Sequence, residues 1–141
     1  MLARRELSEA QVRQRLARKG HEEDAIDAAV ARLRAERAID DERVAAAIAR
    51  METSIRRRGR LRVRRQIEHA GIAATTAKRA VDDVFGDIDP DAHLQASLNK
   101  RLRGRETITD PREFQRLYRY LVTQGFESDQ AMRALKARSV K

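Results

Sequence analysis

VRRQIEHAGIAATTAKRAV, residues 63–81, reads as a helix, a glycine turn and a second helix. Val63, Ile67 and Ala70 fall at helical spacing, so one stripe of the first helix is apolar. Gly71 then suits the left-handed conformation that ends many helices, because it has no Cβ to clash. The pattern occurs twice more, on Gly20 and Gly125, with spacings of 51 and 54 residues. Eight residues before each glycine stand Val12, Val63 and Leu117, and four before stand Leu16, Ile67 and Leu121. Nine after stand Ala29, Ala80 and Ala134, and ten after stand Val30, Val81 and Leu135. Four shared offsets, one of them always alanine, describe a helix–turn–helix unit used three times.

Capping chemistry marks the ends. Ser8 and Gln11 form a capping box, and Asp40 and Asp41 can cap a third helix. That helix carries Val44, Ile48, Met51 and Ile55 at core spacing. Its opening recurs as Asp91-Ala92-His93-Leu94 behind the Asp89-Pro90 start, and Asp110-Pro111-Arg112-Glu113 supplies a cap, a proline and a box acid for the last unit. The sequence predicts an all-α protein with helices at 9–19, 24–37, 41–57, 60–70, 74–85, 90–103, 111–124 and 129–138. Grouped in order, these make a three-helix repeat over 1–57, a second over 58–105 and a partial third over 106–141. Units that bury their faces against neighbours build an elongated, curved body. The three glycines are expected just past helix ends with positive φ.

Of the 41% hydrophobic residues, 23 are alanine, which suits thin helical layers better than a deep core. With no cysteine, disulfides, thiolate metal sites and cysteine catalysis are excluded. MLARRELSEAQ has no apolar signal region, and no run approaches the ~20 apolar residues of a spanning helix, so a soluble cytoplasmic protein is expected. His21, His69 and His93 lack metal spacing and read as surface or turn residues. Asp87 to Asp91 mimic half a calcium loop, but Ala92 stands where the loop needs glycine and Leu98 where it needs glutamate, so capping explains these acids. No phosphate loop or nucleophile motif is present, so neither enzyme activity nor a cofactor or small-molecule substrate is expected.

The formal charge of +9 attracts polyanions. Arg56, Arg57, Arg58, Arg60, Arg62, Arg64 and Arg65 fall within ten residues, with no acid between Thr53 and Ile67. On a helix through Val63 and Ile67, Arg62, Arg65 and His69 point away from the apolar face, while Arg60 and Arg64 form a like-charge pair on the flank. A solvated face is the bland reading, and the lack of interleaved acids argues for a polyanion surface. Lys100, Arg101, Arg103 and Arg105 form a second basic group at a helix C-terminus, where the dipole also favours cations. Arg112, Arg116 and Arg119 make a third, one helical stripe flanked by Tyr118 and Tyr120. Two tyrosines and three phenylalanines are too few for a base-stacking platform.

LARRELSEAQVRQRLARKG, RLRAERAIDDERVAAAIAR, GRLRVRRQIEHAGI and DPREFQRLYRYLVTQGF together resemble the RecX family of bacterial regulatory proteins, from Leu2 to about Lys136. Val44 stands where the family commonly has an aromatic and Arg60 where it commonly has proline; the family's leading segment is short or missing. The resemblance implies tandem three-helix repeats without catalysis. It implies binding to the RecA recombinase and its single-stranded DNA filament, in the filament groove, usually with inhibition, in DNA repair, recombination and the SOS response. The basic groups would then meet filament acids, DNA phosphates or both. A general nucleic-acid-binding helical module independent of RecA, and a helical adaptor with solvated charges, stand beside this reading.

Overall fold

The computed structural model describes residues 6–140. It contains α1 (Glu9–Arg18), α2 (Glu23–Ala35), α3 (Asp41–Arg50), α4 (Arg60–His69), α5 (Ala74–Phe85), α6 (Pro90–Leu102), α7 (Pro111–Thr123) and α8 (Ser128–Arg138). A π-helical turn, Met51–Ile55, continues α3. The only β pairing among the described residues is an isolated parallel bridge between Ile108 and Ser139. The expected all-α fold holds, and helix ends fall where cap chemistry places them. Ser8 and Gln11 close a full capping box, and Asp40, Asp89 and Asp110 each accept from a first-turn amide.

Three apolar clusters hold the chain. One joins Ile26, Val30 and Ile39 to Val12, Leu16 and Leu33 on α1 and α2. The second joins α3 to α4 and α5 through Val44, Ala45, Ala49, Val63, Ile67 and Val81. The third joins α6 to α7 and α8 through Leu94, Leu98, Leu117, Leu121 and Leu135. Each third helix therefore packs on the helix pair that follows it, and the clusters run across the 57/58 and 105/106 boundaries.

Gly20, Gly71 and Gly125 have φ of +92°, +84° and +103°, as their place at helix ends requires. Two of these turns are also sockets. Ser8 stands twelve residues before Gly20, and its Oγ donates to the carbonyl of Ala70, 2.5 Å away, one residue before Gly71. Gly59 stands twelve before Gly71, and its N–H donates to the carbonyl of Gln124 at 2.8 Å, one residue before Gly125. The start of each unit's first helix thus docks on the glycine turn of the next unit. At the second junction Leu61 N–H also reaches the Gly125 carbonyl at 3.1 Å. The C-terminus of α7 therefore caps the N-terminus of α4, end to end. The first turn of α4 has no acid and carries Arg60 and Arg62, which a helix N-terminus disfavours; the facing α7 carbonyls offset this.

Two expectations are corrected. Met51 and Ile55 are not core residues: they are 41% and 73% exposed, while Glu52 and Thr53 are buried. Glu52 follows Ala45 and Ala49 at ordinary helical spacing, so it lies on the buried face those alanines define, beside the Val44–Ile48 stripe that Met51 and Ile55 extend in sequence. Glu113 does not close a capping box; it takes a two-pronged bond from the Arg105 guanidinium instead, at 3.0 and 2.5 Å. That bond and the Arg105 charge, with Arg116 adding a little, hold the Glu113 carboxyl below its ordinary value of 4.5, against the opposing effect of burial. The folded form thus keeps its proton off to lower pH than the unfolded chain. The stabilisation is complete above pH 4.5 and is lost as pH falls through the depressed folded value. An NMR titration of Glu113 in Arg105→Gln is expected to show its midpoint moving up.

Candidate basic interface

The arginine run is far less crowded in space than in sequence, because acids arrive from other elements. Glu52, on the buried face of the π turn, pairs with Arg58 at 2.8 Å and Arg56 at 3.6 Å. Arg60 reaches Asp82 of α5 at 2.5 Å and lies 5.4 Å from the Phe85 ring centroid. Asp82 also takes Lys78, and the bonds from Lys78 and Arg60 hold its carboxyl below the usual range. Arg64 pairs with Glu68 one turn on. These four arginines are tied into the fold. Arg57 and Arg65 are exposed and make no ion pair among the described residues.

Arg62 corrects the sequence reading most. It is half-buried at the α4–α7 joint, and its Nη1 donates to the Thr123 carbonyl at 3.1 Å. Burial, then the nearby charge of Arg58, push its pKa below the ordinary guanidinium range; Arg65 and Arg56 add to this and Glu52 opposes it. It is a joint residue, not one turned away from the packed side.

The second group divides. Arg101 lies over the Tyr120 ring, 4.3 Å from its centroid, a cation–π contact joining α6 to α7. Arg103 is exposed with φ of +52°, and Arg105 is held by Glu113. The third group, Arg112, Arg116 and Arg119, is an exposed stripe on α7 as expected. Thr123 continues that stripe at helical spacing, and it is there that Arg62 arrives from α4. The joint thus brings Arg62 to the C-terminal end of the Arg112–Arg116–Arg119 stripe, and Arg65 and His69 follow Arg62 at helical spacing along α4.

His93 is not a surface residue. It sits half-buried between Phe85 and Phe126, with ring centroids 5.5 and 5.6 Å away. Its Nε2 lies 2.7 Å from the Arg58 carbonyl, to which it donates. No group of three His, Cys, Asp or Glu among the described residues could hold a metal ion. No described helix is long and apolar enough to cross a membrane. The missed element is Glu52, and its signal lies in the small-residue stripe Ala45–Ala49, which leads to it at helical spacing.

A family model described as RecX, first three-helix domain, matches residues 1–33. The chain is 32% identical to the regulatory protein RecX of Syntrophotalea carbinolica over 129 residues, covering 91% of this chain and 84% of that one. It is 30% identical to the regulatory protein RecX of Halorhodospira halophila over 138 residues, covering 97% and 83%. The crystal structure of RecX from Lactobacillus salivarius superposes with a TM-score of 0.70 over 93% of this chain and 84% of that one, at 17% identity, which speaks for the fold alone. With at least 30% identity over more than four fifths of both relatives, and a shared helical-repeat fold, the chain belongs to the RecX family of regulatory proteins.

Proposed function

We propose that this chain is a non-enzymatic regulator of the RecA recombinase, one that lies in the groove of the RecA–single-stranded DNA filament and lowers recombinase activity. The family supports a regulatory role. The observation that carries the surface is the set of exposed arginines on the two helices that meet at the α4–α7 joint, Arg112, Arg116 and Arg119 on α7 and Arg65 on α4. Arginine suits a surface that meets phosphate or carboxylate, because its planar fork can bind either with two hydrogen bonds. Arg57 and Arg103 extend the same chemistry at the ends of the π turn and α6.

Retention on RecA-coated single-stranded DNA is expected to exceed retention on bare DNA. Equal or better retention on bare DNA would favour a general nucleic-acid-binding module. Arg65→Ala combined with Arg116→Ala and Arg119→Ala touches no buried side chain. It is expected to keep its helix content and bind coated DNA at least tenfold more weakly. Where these arginines meet phosphate, the log–log salt slope is expected to flatten by about 0.7 for each phosphate that the variant no longer neutralises on a single strand. A folded triple variant that binds and inhibits like wild type would place the docking surface elsewhere.

A further inference from the structure

A groove of about 680 Å³ runs between α3 and α4. Val44, Ala47, Ile48, Met51 and Ala70 supply its apolar lining. Gln66 and His69 form the α4 wall, and His69 is one turn beyond Arg65.

The repeat shows what such a groove holds. Ala47 is six residues after Asp41, and Ser97 is six after Asp91. Met51 and Arg101 each stand ten after the same aspartates, and Gln66 and Tyr120 each stand five before their turn glycines. In the second half these positions make a closed set: Tyr120 leans from α7 onto α6, its Oη 3.4 Å from Ser97 Oγ and its ring beneath Arg101. In the first half the three equivalents are Ala47, Gln66 and Met51. All three line the open groove, and no phenylalanine or tyrosine among the described residues lines it.

We infer that the α3–α4 groove is a receptor for an aromatic side chain of a protein partner, seated where Tyr120 seats itself in the other half. Met51 faces that seat with a thioether, which makes favourable contacts with ring edges. Its 41% exposure leaves it free to adapt to the ring. A nucleic-acid base would bring a phosphate close to Glu6 and Glu52, which line the groove, so a protein side chain is the better fit. On the function proposed above, the partner is the recombinase, and the groove supplies the contact that distinguishes a coated strand from a bare one.

The test has two arms, and only the second rests on that function. In the first, p-cresol, the tyrosine side-chain analogue, is titrated into the protein. Saturable NMR shifts are expected at the Ala47, Ile48 and Met51 methyls in wild type. None are expected in Gln66→Tyr, which supplies the ring from within, nor in Ala47→Leu, which fills the groove from α3. In the second arm the folded Gln66→Tyr and Ala47→Leu variants are expected to bind RecA-coated DNA at least fivefold more weakly, with retention on bare DNA unchanged. No saturable shift in wild type, or filled variants that bind coated DNA like wild type, would overturn the receptor. Wild type that ignores RecA would overturn the recombinase as partner, and the cresol arm would still decide for or against the groove.

Discussion

Gly125→Ala is expected to destabilise the protein by about 3 kcal/mol, the sum of overpacking at the joint and a strained φ. A β-carbon at Gly125 would collide with the Arg62 Cβ and lie 2.5 Å from the Arg62 nitrogen and 2.8 Å from the Gly59 oxygen. Two of those atoms are backbone, so the joint must open to make room. Gly59→Ala isolates the steric part. Its φ of −79° is ordinary, yet its β-carbon would come within 2.5 Å of the Gly125 carbonyl carbon. Gly20→Ala isolates the other part, because nothing lies within 4 Å of the added carbon, and only the left-handed φ costs, about 1 kcal/mol. Urea unfolding of the three variants checks the order. Equal losses at Gly20 and Gly125 would mean that the α4–α7 joint yields freely.

The second large effect is expected at Glu52. Its side chain is 3% exposed and that of its partner Arg58 is 16% exposed. Glu52→Ala leaves a largely buried guanidinium without its carboxylate, a loss of about 3 kcal/mol. Arg56, half in solvent, contributes little to that figure. Arg58→Ala and the double variant complete a cycle, and the double variant is expected to be more stable than the sum of the single losses predicts. Additive losses would show that the two side chains act separately. Glu52→Ala is also expected to loosen residues 56–59, read as faster amide exchange in that loop.

The helices were legible because their signals are local. Ser8, Asp40, Asp89 and Asp110 lie within three residues of the amides they cap, and the apolar spacing of Val63, Ile67, Leu117 and Leu121 fixes which faces are buried. The π turn was not legible. Met51 and Ile55 continue the spacing of Val44 and Ile48, and no proline or glycine interrupts them, so an unbroken α-helix was the natural reading. The neighbouring stripe Ala45, Ala49 and Glu52 has the same helical spacing, and it is the one that is buried, with Glu52 held by Arg58. The candidate surface was half legible. The α7 stripe needs only helical spacing, whereas the partners of the α4 arginines lie far along the chain: Asp82 is 22 residues from Arg60, and Thr123 is 61 from Arg62. A run of like charge looks unneutralised until folding brings its counter-charges from elsewhere.

The repeated junction makes the molecule extensible from one side only. The Gly71 and Gly125 turns each receive a helix start, while no described atom lies within 4 Å of where a Gly20 β-carbon would stand. At the other end α7 breaks the pattern. α1 and α4 begin eleven residues before their glycines, whereas α7 begins fourteen before, behind the Asp110 cap and the Pro111 ring. Proline has no amide hydrogen to give, and the next amide is already taken by Asp110. A module grafted ahead of α1 could seat its own first helix on the Gly20 turn without disturbing any described contact. One grafted after α8 would find no free helix start to receive. For an engineer seeking a longer or shorter reach, the α1 end is the adjustable one and the α7–α8 end is the fixed one.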